Sequence, residues 1–222
     1  MAHVLSVNAG RPEPNPDRPT KQTGIGKLPV PYAFVRAPGP KRGGLGSGVE
    51  GDFIGSRKHH GGDSQAVYAF AREELDWWGE QLGRRLPDGM FGENLTTSGL
   101  PVDDGLIGEQ WSVGDEVVLE VTGPRVPCAT FRHHMAERGW VRRFTERGLT
   151  GAYLAVVTPG TVRPDDAIVV LGRPDHDVTL PLAFRAFMGE VDAAERVLAA
   201  RCLPAHEEDW LRGRLRRRTR GA

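Results

Sequence analysis

The chain has 222 residues, enough for one sizeable domain or for one domain with a small appendage. Its 29 basic and 29 acidic residues balance, so no global field marks nucleic acid or an anionic membrane as the main partner. Two cysteines do not make a disulfide framework, the N-terminus has no signal-peptide pattern, and no apolar run approaches the roughly 20 residues that span a bilayer. These features predict a reduced, soluble, cytoplasmic protein.

The first part of the chain is predicted to alternate short strands with loops. Residues 4–9 and 32–36 have strand-like patterns, whereas the Pro-rich residues 11–19 fit neither a central strand nor a helix interior. Residues 38–48 are rich in Gly and Pro and are predicted to form a loop. A Thr-Gly-Ile-Gly-Lys run at residues 23–27 is predicted to be a loop with conformational freedom at its two glycines.

Residues 46–51 match the dinucleotide-binding pattern G-x-G-x-x-G. That fingerprint requires a strand before it and a helix after it. A Gly/Pro loop precedes the match here, and Gly55, Gly61 and Gly62 follow it. We therefore reject a dinucleotide-binding fold.

The hydrophobic period changes after residue 71. Residues 65–71 alternate as a strand does, and residues 72–86 have helical spacing, with one face formed by Leu75, Trp78, Leu82 and Leu86. This stripe is more typical of core packing than of a cofactor site.

Two acidic turns feed strands later in the chain. Residues 113–119 and 164–170 share this arrangement, and residues 153–158 form a further predicted strand closed by Pro-Gly. Because strands and helices do not alternate regularly, a parallel doubly wound sheet is not expected. The pattern predicts a mainly β (α+β) protein centred on a β-barrel with a few helices.

The pattern becomes helical after residue 173. Residues 180–188, 191–203 and 205–218 predict three short helices, so we divide the chain into a barrel domain at residues 1–173 and a three-helix C-terminal module at residues 174–222. Cys202 on the second helix is interpreted as a packing residue. A basic cluster is predicted to lie on the solvated end of the last helix; it consists of Arg212, Arg214, Arg216, Arg217, Arg218 and Arg220.

Cys128 is the residue with the most informative local context. It ends a Gly-Pro-Arg-Val-Pro-Cys run at residues 123–128, directly after a predicted strand, and Arg125 lies three residues before it. Thiolate is the reactive and metal-binding form of cysteine, and a nearby cation favours it. A buried structural cysteine is the alternative that this context leaves open.

Four segments carry polar residues where loops leave strands, at residues 21–27, 51–63, 91–96 and 124–128. The cations Lys21, Lys27 and Arg125 could jointly hold a phosphate, although each alone also fits a surface charge. His60 and Asn94 could bind a ligand or merely satisfy a turn.

Two other chemistries compete for Cys128. His133, His134 and the His59/His60 pair could complete a zinc site with it, but the spacings lack a paired metal-binding signature. Cys128 could also act as a nucleophile with His60 as its base, which requires the two side chains to be close.

The polar segments, in this order, resemble the MOSC domain family, named from the C-terminal domain of molybdenum cofactor sulfurase. The resemblance covers roughly residues 4–171 and extends to the three-helix extension of stand-alone bacterial members. It rests on Gly-Asp at 51–52, His-Gly-Gly-Asp-Ser-Gln-Ala-Val-Tyr at 60–68, Phe-Gly-Glu-Asn-Leu at 91–95, Gly-Glu-Gln-Trp-Ser-Val-Gly-Asp at 108–115 and Pro-Arg-Val-Pro-Cys at 124–128.

The resemblance implies a β-barrel and a molybdenum cofactor site in which the thiolate of Cys128 binds the metal. Relatives reduce N-hydroxylated compounds, so the expected substrates are hydroxylamines, N-hydroxylated purines and amidoximes. The expected cofactor-binding residues are Lys21, Lys27, His60, Asn94, Arg125 and Cys128. His60 or Asp63 is the expected proton source beside Cys128 in the catalytic set.

The resemblance also bears on partners. No flavin, haem or iron–sulfur motif is visible in the sequence, so an external reductase is expected to supply electrons to a small N-hydroxylated substrate. We expect no nucleic acid and no membrane partner, and the helical module could dock the electron donor or form a homodimer contact. The alternative function is a molybdenum cofactor or sulfur carrier without turnover of its own.

Overall fold

A computed structural model describes residues 1–219 of the chain. The strands are β1 His3–Gly10, β2 Glu13–Pro14, β3 Gln22–Thr23, β4 Lys27–Val30, β5 Ala33–Val35, β6 Val67–Ala71, β7 Leu95–Ser98, β8 Gln110–Val113, β9 Val117–Pro124, β10 Ala152–Thr158, β11 Gly160–Val162 and β12 Ile168–Gly172. The helices are α1 Arg72–Leu82, α2 Ala129–Met135, α3 Trp140–Arg147, α4 Leu180–Met188, α5 Val191–Ala200 and α6 Ala205–Thr219, with short 3-10 helices at Asp63–Gln65 and Val102–Asp104. The mixed α+β class predicted from the sequence is confirmed.

Eight strands form one sheet in the order β12-β8-β9-β10-β6-β7-β1-β4. Every neighbouring pair is antiparallel except β6 and β7. A short pair, β5 with β11, and the pair β2 with β3 lie outside it.

The large sheet is not a closed barrel, which corrects the barrel expectation. Strand β4 covers only the second half of β1, from Val7 to Gly10, because β4 is four residues long. In the first half of β1, the N–H of Val4 donates to the carbonyl of Asp166 at 2.9 Å, and His3 and Ala167 form a single isolated bridge. The sheet therefore curls until β1 approaches β12, but no continuous ladder joins its two edges.

An aromatic cluster packs on the sheet beside α1. Trp78 is 1% exposed, and its ring centroid lies 4.6 Å from that of Trp140 and 6.4 Å from that of Phe91. This confirms that the predicted stripe is a core face. The helix ends at Leu82, four residues before the predicted end, because Gly83 adopts the left-handed conformation that commonly stops helices.

Helices α2 and α3 had no counterpart in the sequence prediction. Helix α3 places Trp140 and Phe144 four residues apart, so both fall on one buried face. These two helices follow directly on Cys128 and complete the aromatic cluster.

The three C-terminal helices occur where they were predicted, except that α5 ends at Ala200 instead of residue 203. Their apolar residues, among them Leu180, Val197 and Leu211, belong to the same core cluster as the sheet interior, and half-buried Cys202 packs against it. The domain boundary at residue 173 remains a prediction. Within the basic cluster, Arg212 pairs with Glu208 at 2.6 Å, whereas Arg220 lies outside the described residues. Over residues 1–219, no helix combines the length and apolar character needed to cross a membrane.

Candidate functional site

A cleft with about 720 Å³ of empty volume opens where strands β6, β9 and β10 meet the loops. All four polar segments identified in the sequence contribute to its wall. From the N-terminal segments come Asn15, residues 22–25, Lys27, residues 52–56, His60, Gly61 and Gln65, and from later segments Tyr68, Gly92, Asn94, Arg125, Cys128, Thr130 and Tyr153.

Two loops of the wall pack backbone against backbone. A Cβ atom on Gly24 would lie 2.1 Å from the carbonyl oxygen of Phe53, and one on Gly55 would lie 1.9 Å from that of Gln22. Only glycine permits this approach at either position. The predicted loop around Gly24 is thereby held against the segment that carries Asp52.

Cys128 lies between strand β9 and helix α2, at the N-cap position of the helix. Its backbone is extended, with φ −117° and ψ 171°, and its side chain makes no capping hydrogen bond to the helix. The residue is half-buried and lines the cleft. Its predicted role as the metal ligand stays a prediction.

Arg125 brings a buried positive charge to the same wall. The residue is 6% exposed, and its guanidinium carbon lies 3.9 Å from the ring centroid of Phe131 and 5.0 Å from that of Tyr68. Nη1 donates a hydrogen bond to the carbonyl of Phe91. Throughout residues 1–219, Arg125 forms no ion pair with a carboxylate. A buried charge without a partner is costly, so this wall favours an anion.

Lys27 also lines the cleft, but its charge is already compensated. Its ammonium pairs with the carboxylate of Asp52, and the two side chains are 7% and 1% exposed. Asp52 accepts three further hydrogen bonds, from the N–H of Gly10 at 2.7 Å, Ser47 Oγ at 2.7 Å and Asn94 Nδ2 at 3.1 Å. The sequence analysis gave Asp52 no role, and its only signal was the Gly-Asp pair of the resemblance.

Both the nitrogen and the oxygen of the Asn94 side-chain amide form hydrogen bonds within the protein. Besides binding Asp52, its Nδ2 donates to the carbonyl of Asn8 at 3.2 Å, and its Oδ1 accepts from the N–H of Tyr68 at 3.2 Å. Its predicted role as a cofactor ligand stays a prediction. Its observed contacts hold the wall together.

His60 lines the cleft as an uncharged imidazole near neutral pH. Burial lowers its pKa to about 4, and the nearby positive charges of Arg125 and Lys41 act in the same direction. It can therefore donate one hydrogen bond and accept another, but it holds no extra proton at neutral pH.

Two predicted site residues lie outside the cleft wall. Asp63 is exposed and accepts a hydrogen bond from the N–H of Gly39 at 2.8 Å. Lys21 is exposed as well and precedes the wall residue Gln22. The expected proton-donor role of Asp63 and phosphate-binding role of Lys21 stay predictions.

Gln65 is a wall residue that the sequence analysis missed. Its Oε1 is buried and has no hydrogen-bond partner among the described residues. Such a group is costly unless something donates to it, so it points to a ligand or water in the cleft. Tyr153, also missed, packs against Tyr68 in a tilted arrangement with 5.2 Å between ring centroids. Residue type alone carried no signal for either one.

The described residues do not form either of the two alternative sites for Cys128, a zinc site or a nucleophile–base pair. No group of three or more His, Cys, Asp or Glu residues that could hold a metal ion occurs in residues 1–219. His133 Nε2 lies 3.3 Å from Asp17, and His134 Nε2 lies 3.1 Å from the carbonyl of Met90. Cys128 and His60 share the cleft, but within the described part of the chain no hydrogen bond joins them, as a nucleophile–base pair would require.

The fold and site define a mixed α+β protein with a thiol and an uncompensated cation in one cleft. The family model for the MOSC domain matches residues 56–169. The chain is 31% identical to YflK of Bacillus subtilis (strain 168) over 211 residues, which is 93% of this chain and 90% of YflK. The chain belongs to the MOSC domain family.

The chain is also similar to two further proteins. A protein of Gibberella moniliformis named "Reductase" is 32% identical over 133 residues, which is 58% of this chain and 23% of that protein. The crystal structure of YiiM from Geobacillus stearothermophilus superposes with a TM-score of 0.74 at 23% identity, covering 97% of this chain and all of the other. The second comparison shows the shared fold.

MOSC domains are molybdenum cofactor-binding domains, and the cleft residues fit such a group. The cofactor is an anionic dithiolene and phosphate compound, and the uncompensated charge of Arg125 suits it. Cys128 would supply a soft sulfur ligand, which suits a metal already bound by sulfur. The unsatisfied oxygen of Gln65 suits the amide and amine donors of a pterin.

Proposed function

We propose that this protein is a molybdenum-cofactor-dependent reductase of N-hydroxylated compounds. One observation carries the proposal: Cys128, half-exposed and free of capping contacts, shares a cleft with the buried, unpaired guanidinium of Arg125. A MOSC fold supports it, and so does the Gibberella relative named "Reductase".

The overall reaction consumes two electrons and two protons for each N–OH group and releases an amine and water. When bound, the cofactor supplies the two-electron redox chemistry for this conversion. Cys128 would hold the metal, and Arg125 would neutralise anionic charge of the cofactor.

The remaining wall residues would orient the substrate. Gln65 Oε1 offers a buried acceptor, and the neutral ring of His60 holds one proton that it can donate as a hydrogen bond to the substrate hydroxyl. Tyr68 and Tyr153 form an aromatic part of the cleft wall. His60 carries no surplus proton at neutral pH, so it would act there as a neutral hydrogen-bond donor.

Protein produced in a cofactor-synthesising host tests the proposal. Its molybdenum content is measured first, and an N-hydroxylated purine and a simple hydroxylamine are then supplied with reduced viologen. We expect the corresponding amines, with no product beyond one turnover when the reductant is omitted. Fully molybdenum-loaded, reduced protein that converts none of several such substrates would favour a cofactor carrier.

A further inference from the structure

The cleft lies in a basic stretch of a chain that is neutral overall. Residues 18–60 contain eight Lys and Arg residues but only two acidic residues, although the net charge of the whole chain is zero. Most of the cleft's loop wall comes from this stretch. The excess of cations over carboxylates gives this part of the molecule a net positive charge.

Both acidic residues of this stretch are already occupied. Glu50 pairs with Arg36 at 3.1 Å, and Asp52 pairs with Lys27. Four exposed cations remain that form no ion pair with any carboxylate in residues 1–219. We call them the basic rim; they are Lys21, Arg42, Arg57 and Lys58.

The basic rim borders the cleft on two sides. Arg57 and Lys58 lie between Ser56 and His60, which both line the cleft, and Lys21 directly precedes Gln22 of the opposite loop. Arg42 follows Lys41, whose side chain packs over Gly62 next to the wall residue Gly61. These exposed charges therefore belong to the loops that form the cleft wall.

We infer that the basic rim is the docking surface for an acidic electron-carrier protein of the flavodoxin type, an inference that rests on the proposed function. The carrier's reduced flavin is oxidised and delivers the two electrons that the N–OH reduction consumes. Exposed, unpaired cations around a redox cleft provide the long-range field that steers a negatively charged protein into a weak, transient complex.

A small anion fits the basic rim less well than a protein does. The four side chains are exposed and come from three loops, and the Arg57 guanidinium turns toward the carbonyl of Gly44, to which it donates at 3.2 Å. The buried cation suited to a small anion is Arg125, inside the cleft. The rim therefore suits a broad acidic surface.

Binding of a purified bacterial flavodoxin to the full-length protein provides the first test. Affinity is measured by calorimetry at about 20 mM and about 300 mM salt, and we expect it to fall at least about tenfold at the higher salt. We compare Lys58→Glu with Arg163→Glu, which makes the same change in net charge. Arg163 is an exposed residue without an ion pair in the described chain, on the β11–β12 connection, which contributes nothing to the cleft wall. Lys58→Glu should weaken binding at least about fivefold, and Arg163→Glu less than about twofold.

The second test separates docking from catalysis. Lys58→Glu should lower kcat/KM for flavodoxin-driven reduction by the same factor as its affinity and leave the viologen-driven rate unchanged. If neither the wild-type protein nor any variant reduces an N-hydroxylated substrate with viologen, the proposed function fails. The calorimetry still shows whether the basic rim binds flavodoxin. Absence of flavodoxin binding, or equal weakening by Lys58→Glu and Arg163→Glu, would overturn the inference. So would a rim that binds inorganic pyrophosphate but not flavodoxin.

Discussion

Lys27 and Asp52 form a buried ion pair that joins the start of strand β4 to the loop after residue 51. Through the same carboxylate, the N–H of Gly10 ties in the end of strand β1. The pair thus fixes two elements that build the cleft wall. Its charges cancel each other, which leaves Arg125 as the source of net positive charge within the wall.

Asp52→Asn should destabilise the protein strongly, because it leaves the buried ammonium of Lys27 without a counter-charge. Loss of one partner of a buried pair costs about 3–5 kcal/mol. Glu50→Gln is the matched control, since the Arg36–Glu50 pair is exposed and such pairs contribute about 1 kcal/mol or less. Urea unfolding measures both free energies, and equal losses would contradict the assigned role of the buried pair.

Cys128→Ser should abolish molybdenum-dependent activity and lower the molybdenum content, because a hydroxyl is a poor ligand for a soft metal centre. Cys202→Ser should leave both largely intact, since Cys202 lies in the helical region and packs against the core. Metal analysis and viologen-driven turnover measure the two effects. Near wild-type turnover by Cys128→Ser would refute the ligand assignment.

Arg125→Ala should weaken cofactor retention by roughly ten- to a hundredfold, as expected for one charge-assisted contact of about 1.5–3 kcal/mol. Arg125→Lys should rescue it only in part, because an ammonium keeps the charge but lacks the planar, multi-donor guanidinium that lies over the Phe131 ring. The measurement is cofactor content after gel filtration. Arg147→Ala serves as control, since Arg147 also lies over an aromatic ring, that of Trp77, but outside the cleft. Full retention by Arg125→Ala would place the anion elsewhere.

His60→Gln should make the protein less sensitive to acid. The folded-state pKa of His60 is about 4, below the ordinary value of 6.5, so the unfolded chain binds this proton first as the pH falls. The contribution of His60 to the free energy of unfolding is therefore fully present above pH 6.5. It is lost as the pH falls from 6.5 to 4, by about 1–3 kcal/mol. Urea unfolding at several pH values should show a smaller loss for His60→Gln than for wild type. His206→Gln, at an exposed position, should behave as wild type, and equal acid sensitivity of all three proteins would argue against a depressed pKa at His60.

The sequence predicted the periodic elements well because their signal is local. The stripe of Leu75 and Trp78 indicated α1, and the apolar faces of residues 180–188 and 205–218 indicated α4 and α6. Helix ends were less accurate, since a single left-handed residue such as Gly83 or Arg201 ends the helix where the hydrophobic pattern continues. The short helices α2 and α3 were missed, because seven or eight residues give little more than two turns of periodicity.

The family and the order of the polar segments could be read from local motifs, which directed attention to Cys128, Arg125 and His60. The contacts that each polar residue makes could be read only from the fold. Three contacts illustrate this, because each joins residues that are distant along the chain. Lys27 pairs with Asp52, the Asn94 amide binds Asp52, and Asp63 accepts a hydrogen bond from Gly39 outside the cleft. A side chain's charge and hydrogen-bonding capacity are local properties. Whether a side chain bonds to other protein groups or remains available to a ligand depends on which distant groups the fold brings within about 3 Å.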